Sequence, residues 1–113
     1  MQTLTENYLI KTIDVTAKEW FDKVNGNSYF SAQVTLNYAM DDEQTIYLPF
    51  QYGYGEHYLT ETVNELISRK LISKGKEKYN PSLWRYCDEN GIVLRKNKIE
   101  HCKNREVKDF GKG

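Results

Sequence analysis

The chain is poor in the residues that most often announce a chemistry. It has two cysteines (Cys87 and Cys102), two prolines and two histidines in 113 residues. In a reducing cytoplasm the two cysteines are expected as free thiols rather than a disulfide, and His101-Cys102 offers only two adjacent metal ligands where a structural zinc site needs four. His57 and His101 stand far apart, and neither belongs to a metal-ligand or nucleophile motif. There is no phosphate-cradling glycine loop, no serine elbow and no motif of paired carboxylates. The chain is therefore expected to be non-enzymatic, with no cofactor and no metal. No apolar run approaches the roughly 20 residues that a membrane span requires. The opening residues MQTLTENYLIK lack the basic start and apolar core of a signal peptide. An intracellular protein with no membrane partner is the expectation.

What the chain has instead is aromatic rings and charge. Nine Tyr, four Phe and two Trp supply large packing groups, which argues against disorder. The length suits one domain over residues 1–113. Net charge is zero, but the sum conceals an asymmetry. Residues 1–68 carry three basic and ten acidic groups, while residues 69–113 carry thirteen basic and six acidic. Such a split suits an anionic partner for the basic part, or self-association of unlike halves into a homo-oligomer. It also suits two solvated faces that folding simply mixes.

Periodicity places the elements. Phe30, Ala32, Val34 and Leu36 alternate with Tyr29, Ser31, Gln33 and Thr35, the period of a strand with one wet face. After Asp41-Asp42-Glu43 the alternation resumes, with Ile46, Leu48 and Phe50 inward, so residues 28–51 read as a β-hairpin. Pro49 cannot donate a ladder hydrogen bond and belongs at an edge or a bulge. Upstream, Tyr8 to Val15 reads as a strand. Thr16-Ala17-Lys18-Glu19 fits a capping box, so a short helix is expected through Trp20, Phe21 and Val24, stopped by Asn25-Gly26-Asn27. Downstream, Leu59, Val63, Leu66, Ile67 and Leu71 mark one helical face. Asn80-Pro81 then opens a second helix carrying Leu83, Trp84 and Cys87 and ending at Gly91. Ile92, Val93 and Leu94 form a last strand, followed by a basic tail from about residue 95 that is expected to be solvated. The fold class is α+β: a small antiparallel sheet with a central hairpin packed on two or three helices, in the order β-α-β-β-α-α-β.

Two loops flank the hairpin at its open end and should be neighbours. They bring together Asn25, Asn27, Ser28, Tyr29, Gln51, Tyr52, Tyr54 and His57 as a candidate ligand- or partner-binding site. Glycines let backbone approach a ligand, and Tyr and Asn offer stacking faces and hydrogen bonds. The same composition also fits plain structural roles, a helix cap and a turn, and both readings stand at this point. Arg85, Arg95, Lys96, Lys98, Lys103 and Arg105, with Trp84 and Tyr86 nearby, form a candidate basic surface of the kind that meets nucleic acid.

Across roughly residues 18–60 the strings KEWFDKVNGNSYFSAQV and LPFQYGYGEHY resemble a family of small bacteriophage and prophage proteins that carry no assigned activity. Trp20-Phe21-Asp22, Val24 through Phe30 and Phe50 through Gly55 carry the likeness. The resemblance implies an accessory protein acting in a bacterial host cytoplasm, with a host protein or defence complex as partner. Anti-defence inhibition, anti-CRISPR action included, is the function expected on that basis. Sequestration of a nucleotide signal and direct DNA or RNA binding are the alternatives.

Overall fold

The computed structural model describes residues 9–72 and 82–112. Its elements run β1 (Thr12–Asp22), β2 (Asn27–Leu36), β3 (Gln44–Tyr52), α1 (His57–Ser68), α2 (Leu83–Glu89), β4 (Val93–Ile99) and α3 (Asn104–Phe110). The class is α+β, with a four-stranded sheet ordered β3-β2-β1-β4. The expected order is met only roughly, because the segment after Val15 is a strand and a further helix closes the described chain.

That first difference is the largest. Residues 16–22, expected as a helix, continue β1, which pairs antiparallel with β2 from Ile13↔Leu36 to Asp22↔Asn27. A capping box is worth about 1 kcal/mol, and here it competes with a ten-pair ladder. Ile13, Val15, Thr16, Trp20 and Phe21 are β-branched or aromatic and suit a pleated surface better than a helix. Asn25-Gly26-Asn27 stops a strand rather than a helix. Asp22 accepts the backbone N–H groups of Val24 and Asn25 on its carboxylate, and its carbonyl accepts from Gly26 at 2.7 Å. Gly26 supplies the positive φ of 71° that this turn requires.

The β2–β3 hairpin forms as expected, with one correction. Phe30 pairs with Gln51 but Ala32 pairs with Leu48, so Pro49 and Phe50 face the single residue Ser31. Proline thus sits at a bulge on an edge strand. The bulge shifts the alternation by one, and Phe50, expected inward with Ile46 and Leu48, turns to the opposite face of the sheet, where its ring stacks on Tyr29.

One face of the sheet carries the core. Ile13, Val15, Ala17, Phe30, Ala32, Val34, Leu36, Ile46 and Leu48 pack with Leu59, Val63 and Leu66 of α1 and Leu83 and Cys87 of α2. Trp84 instead points to solvent. The Asn80-Pro81 helix start lies outside the described residues. At the other end of α2, Gly91 takes φ +68° and Ile92 N–H donates to the Cys87 carbonyl, closing the helix where expected.

The basic tail is structured. β4 runs to Ile99 and pairs parallel with β1, so the sheet is mixed rather than antiparallel. α3 then packs on the face opposite the core. Val107 is buried there, the Ser31 hydroxyl donates to the Val107 carbonyl at 2.5 Å, and Gln33 donates to the Phe110 carbonyl at 3.1 Å. Gly111 lies so close to Leu48 and Pro49 that a side chain would collide with their backbone.

The β2–β3 turn hangs on Asn37, a polar side chain only 1% exposed. Its Oδ1 accepts from Lys11 N–H at 2.6 Å and Thr12 N–H at 3.3 Å, and its Nδ2 donates to the Leu9 carbonyl and to Asp42. Its φ of 55° is one that asparagine tolerates better than most residues. Asn37→Ala removes four hydrogen bonds from a part-buried network, so it should cost about 1–3 kcal/mol in urea unfolding. A change within experimental error would show that this network does not hold the turn.

Candidate functional site

The two loops flanking the hairpin are neighbours. Gly53 N–H donates to the Ser28 carbonyl at 3.1 Å and Tyr29 pairs with Tyr52 across the ladder. Of the candidate residues, Tyr29, Tyr52 and Tyr54 come together as part of an aromatic strip. Tyr29 stacks on Phe50 at 5.2 Å between ring centres and on Trp20 at 5.6 Å. Tyr52 meets Tyr29 edge-on at 5.9 Å, and Tyr54 meets Tyr52 edge-on at 6.4 Å. The strip grades from half-buried to open: Trp20, Tyr29 and Phe50 are partly covered, whereas Tyr52 is 56% and Tyr54 67% exposed. Lys108 of α3 lies over the Phe50 ring, 5.3 Å from its centre.

The other candidate loop residues have local tasks. Asn25 donates from Nδ2 to Asp22 at 2.8 Å. This bond, together with the backbone donors of Asn25 and Val24, holds the Asp22 carboxyl below its ordinary range. Asn27 and Ser28 pair with Asp22 and Phe21 in the ladder. Gln51 folds back to donate to the Pro49 carbonyl. His57 opens α1, lies 3.2 Å from Glu61 and meets Phe30 edge-on.

Tyr52, Gly53, Tyr54 and His57 line an open notch of about 370 Å³. Beyond Trp20 a larger groove of about 680 Å³ runs between the β1–β2 turn and the β4–α3 connection, lined by Trp20, Phe21, Val24, Lys23, Cys102 and Lys103 among others. Trp20, Phe21 and Phe50 were not among the candidates expected from sequence. Trp20 was concealed by the helix-like start of its segment, and Phe50 by a bulge that only Pro49 hints at.

The basic candidates do not form one face. Lys96 and Lys98 lie on the core side of β4 and Arg95 on the other, as their pairing with Val15, Ala17 and Asp14 requires. Arg95 reaches the Asp14 carboxylate at 2.5 Å, Lys96 reaches Glu56 at 2.7 Å, and Lys98 reaches Glu19 at 3.2 Å. The Lys96 hydrogen bond holds Glu56 below the usual carboxylate range, and the same bond raises Lys96. Arg85, Lys103 and Arg105 are exposed, on α2, before α3 and on α3. Acidic and basic halves therefore meet inside the fold along β4.

Among the described residues no group of three or more His, Cys, Asp or Glu is placed to hold a metal ion. Burial pushes the Cys87 thiol up to about 11 and also raises Cys102, so both are weak nucleophiles at neutral pH. Nor is any helix of the described residues long and apolar enough to cross a membrane. No family model, curated protein or solved structure matches the chain.

Gly53 sets the strip's position. A Cβ there would fall 2.6 Å from the Phe30 ring and 2.7 Å from the His57 ring. Gly53→Ala should displace both rings and destabilise the protein by about 1–3 kcal/mol. Chemical denaturation measures this, and a neutral result would mean that the Tyr52–Tyr54 segment is not seated on Phe30.

Proposed function

We propose that this protein is a non-enzymatic phage accessory protein that binds a host factor and inhibits it, using the aromatic end of its sheet as the contact. One observation carries the reading: Tyr52 and Tyr54 stand open to solvent while their neighbours Tyr29, Phe50 and Trp20 are stacked into a fixed support. Exposed rings held in place lose little entropy on binding, and tyrosine and tryptophan are the residues that most often dominate protein interfaces. The host setting comes from the resemblance of these same strings to phage and prophage proteins, and a bacterial defence component is the target class that suits it.

A protein partner fits better than nucleic acid. A strand-binding surface needs a continuous basic track beside its rings, whereas Arg95, Lys96 and Lys98 are paired with acids on two opposite faces. The notch beside Tyr52, Gly53, Tyr54 and His57 supports a second reading, capture of a nucleotide base against a tyrosine ring.

Native mass spectra of the tagged protein and of a Tyr52→Ala/Tyr54→Ala variant, both recovered from bacterial lysate, distinguish these. A host protein that accompanies the wild type and is weakened about 30-fold or more in the variant is the expected result. A small-molecule adduct without a protein partner would replace the inhibitor reading with nucleotide sequestration. A host partner retained undiminished by the variant would remove the aromatic strip from the contact.

A further inference from the structure

At the end of the sheet where β1 turns into β2, the groove beyond Trp20 has an apolar floor and a net positive lining. Trp20, Phe21, Val24 and Cys102 supply apolar surface, and Val24 is 91% exposed. Two ammonium groups, Lys23 and Lys103, line it against one carboxylate, Asp22, which the turn already engages. Of the acids just beyond the lining, Glu106 is paired with Lys18 at 3.0 Å and Glu19 with Lys98 at 3.2 Å, and Glu100 lies 3.8 Å from Lys98.

The opposite end of the same sheet presents a knob of complementary chemistry. The turn from Tyr38 to Glu43 is exposed throughout and contains three carboxylates and no basic side chain. Tyr38 and Met40 project from it at 61% and 37% exposure. The knob is also pre-shaped. Asn37 anchors its base, Glu43 accepts the Ala39 N–H at 2.7 Å, and Asn37 and Ala39 hold positive φ. A loop already in its bound shape gives up little entropy on docking.

From knob and groove together we infer that this chain associates with itself head to tail, the β2–β3 turn of one copy entering the groove beside Trp20 of the next. Tyr38 and Met40 lie against Trp20, Phe21 and Val24, and Asp41 faces Lys23 and Lys103. A molecule cannot satisfy its own groove. The ladder places Leu36 beside Ile13 and Asn27 beside Asp22, so turn and groove are separated by a ten-residue strand, about 30 Å. The contact is heterologous, which makes short open chains or a ring rather than a two-fold dimer. One loop in one groove is a small interface, so assembly is weak, dependent on concentration, and weakened by salt. The inference does not rest on the host-partner reading, since Tyr52 and Tyr54 stay outside this contact.

Charge exchange tests it by sedimentation velocity, from micromolar to millimolar protein at low salt. The wild type should show a rising mean mass that high salt reverses. Lys23→Glu/Lys103→Glu and, separately, Asp41→Lys should each associate about 10-fold more weakly. Mixing the two variants should restore association, because each reversed groove then meets a reversed turn. Circular dichroism checks that both variants fold. Restoration on mixing also excludes loss by misfolding. A wild type that remains monomeric across the range, or association that neither variant weakens, overturns the inference.

Discussion

Pairing between β1 and β2 is the constraint from which the rest of the structure follows. Ten successive residue pairs join the two strands, and their register decides which side chain faces which layer. With Ile13 opposite Leu36 and Ala17 opposite Ala32, one face becomes the core on which α1 and α2 pack. The same register sets Trp20 beside Tyr29 on the other face. A slip of one residue would exchange the two faces, burying Lys18 and Thr16 and opening the core.

The second determinant is a local irregularity within that frame. Pro49 interrupts the β3 ladder, and the extra residue turns Phe50 out of the core side and onto Tyr29. Phe50 then completes the support behind Tyr52 and Tyr54, while α3 closes over the neighbouring part of the face through Ser31, Gln33 and Gly111. Core and aromatic strip are thus two products of one sheet, made different by a single bulge. β4 ties the basic half of the chain to the acidic half through Asp14, Glu56 and Glu19, so Arg95, Lys96 and Lys98 do not make one basic face among the described residues.

Legibility from sequence followed how local each feature was. The β2–β3 hairpin has one buried and one wetter face, so its alternation is plain, and the adjacency of its flanking loops follows from it. α1 is legible for a similar reason: Leu59, Val63 and Leu66 repeat on one side and are buried there. β1 is covered on both faces, by the core on one side and by α3 and the aromatic stack on the other. Ile13, Val15 and Ala17 do alternate, but beyond the small Ala17 the inward position is Glu19, so the apolar signal fades just where Thr16 to Glu19 imitate a helix start. The parallel β1–β4 pair joins residues about 80 positions apart and leaves no local trace. α3 has seven residues and one buried side chain, Val107, too little to show as periodicity in a basic stretch. In the candidate site, Tyr29, Tyr52 and Tyr54 could be chosen from composition, but Trp20 and Phe50 depended on the strand and the bulge.

We propose the open rings at the end of the β2–β3 hairpin as the surface a partner covers. Hydroxyl-radical footprinting of the free protein and of the complex recovered from the host tests this most directly. Oxidation of Tyr52 and Tyr54 should fall sharply in the complex, while Trp84, exposed on α2, reacts as before. Protection of Trp84 with Tyr52 and Tyr54 unchanged would contradict it and move the contact to the helical side of the sheet.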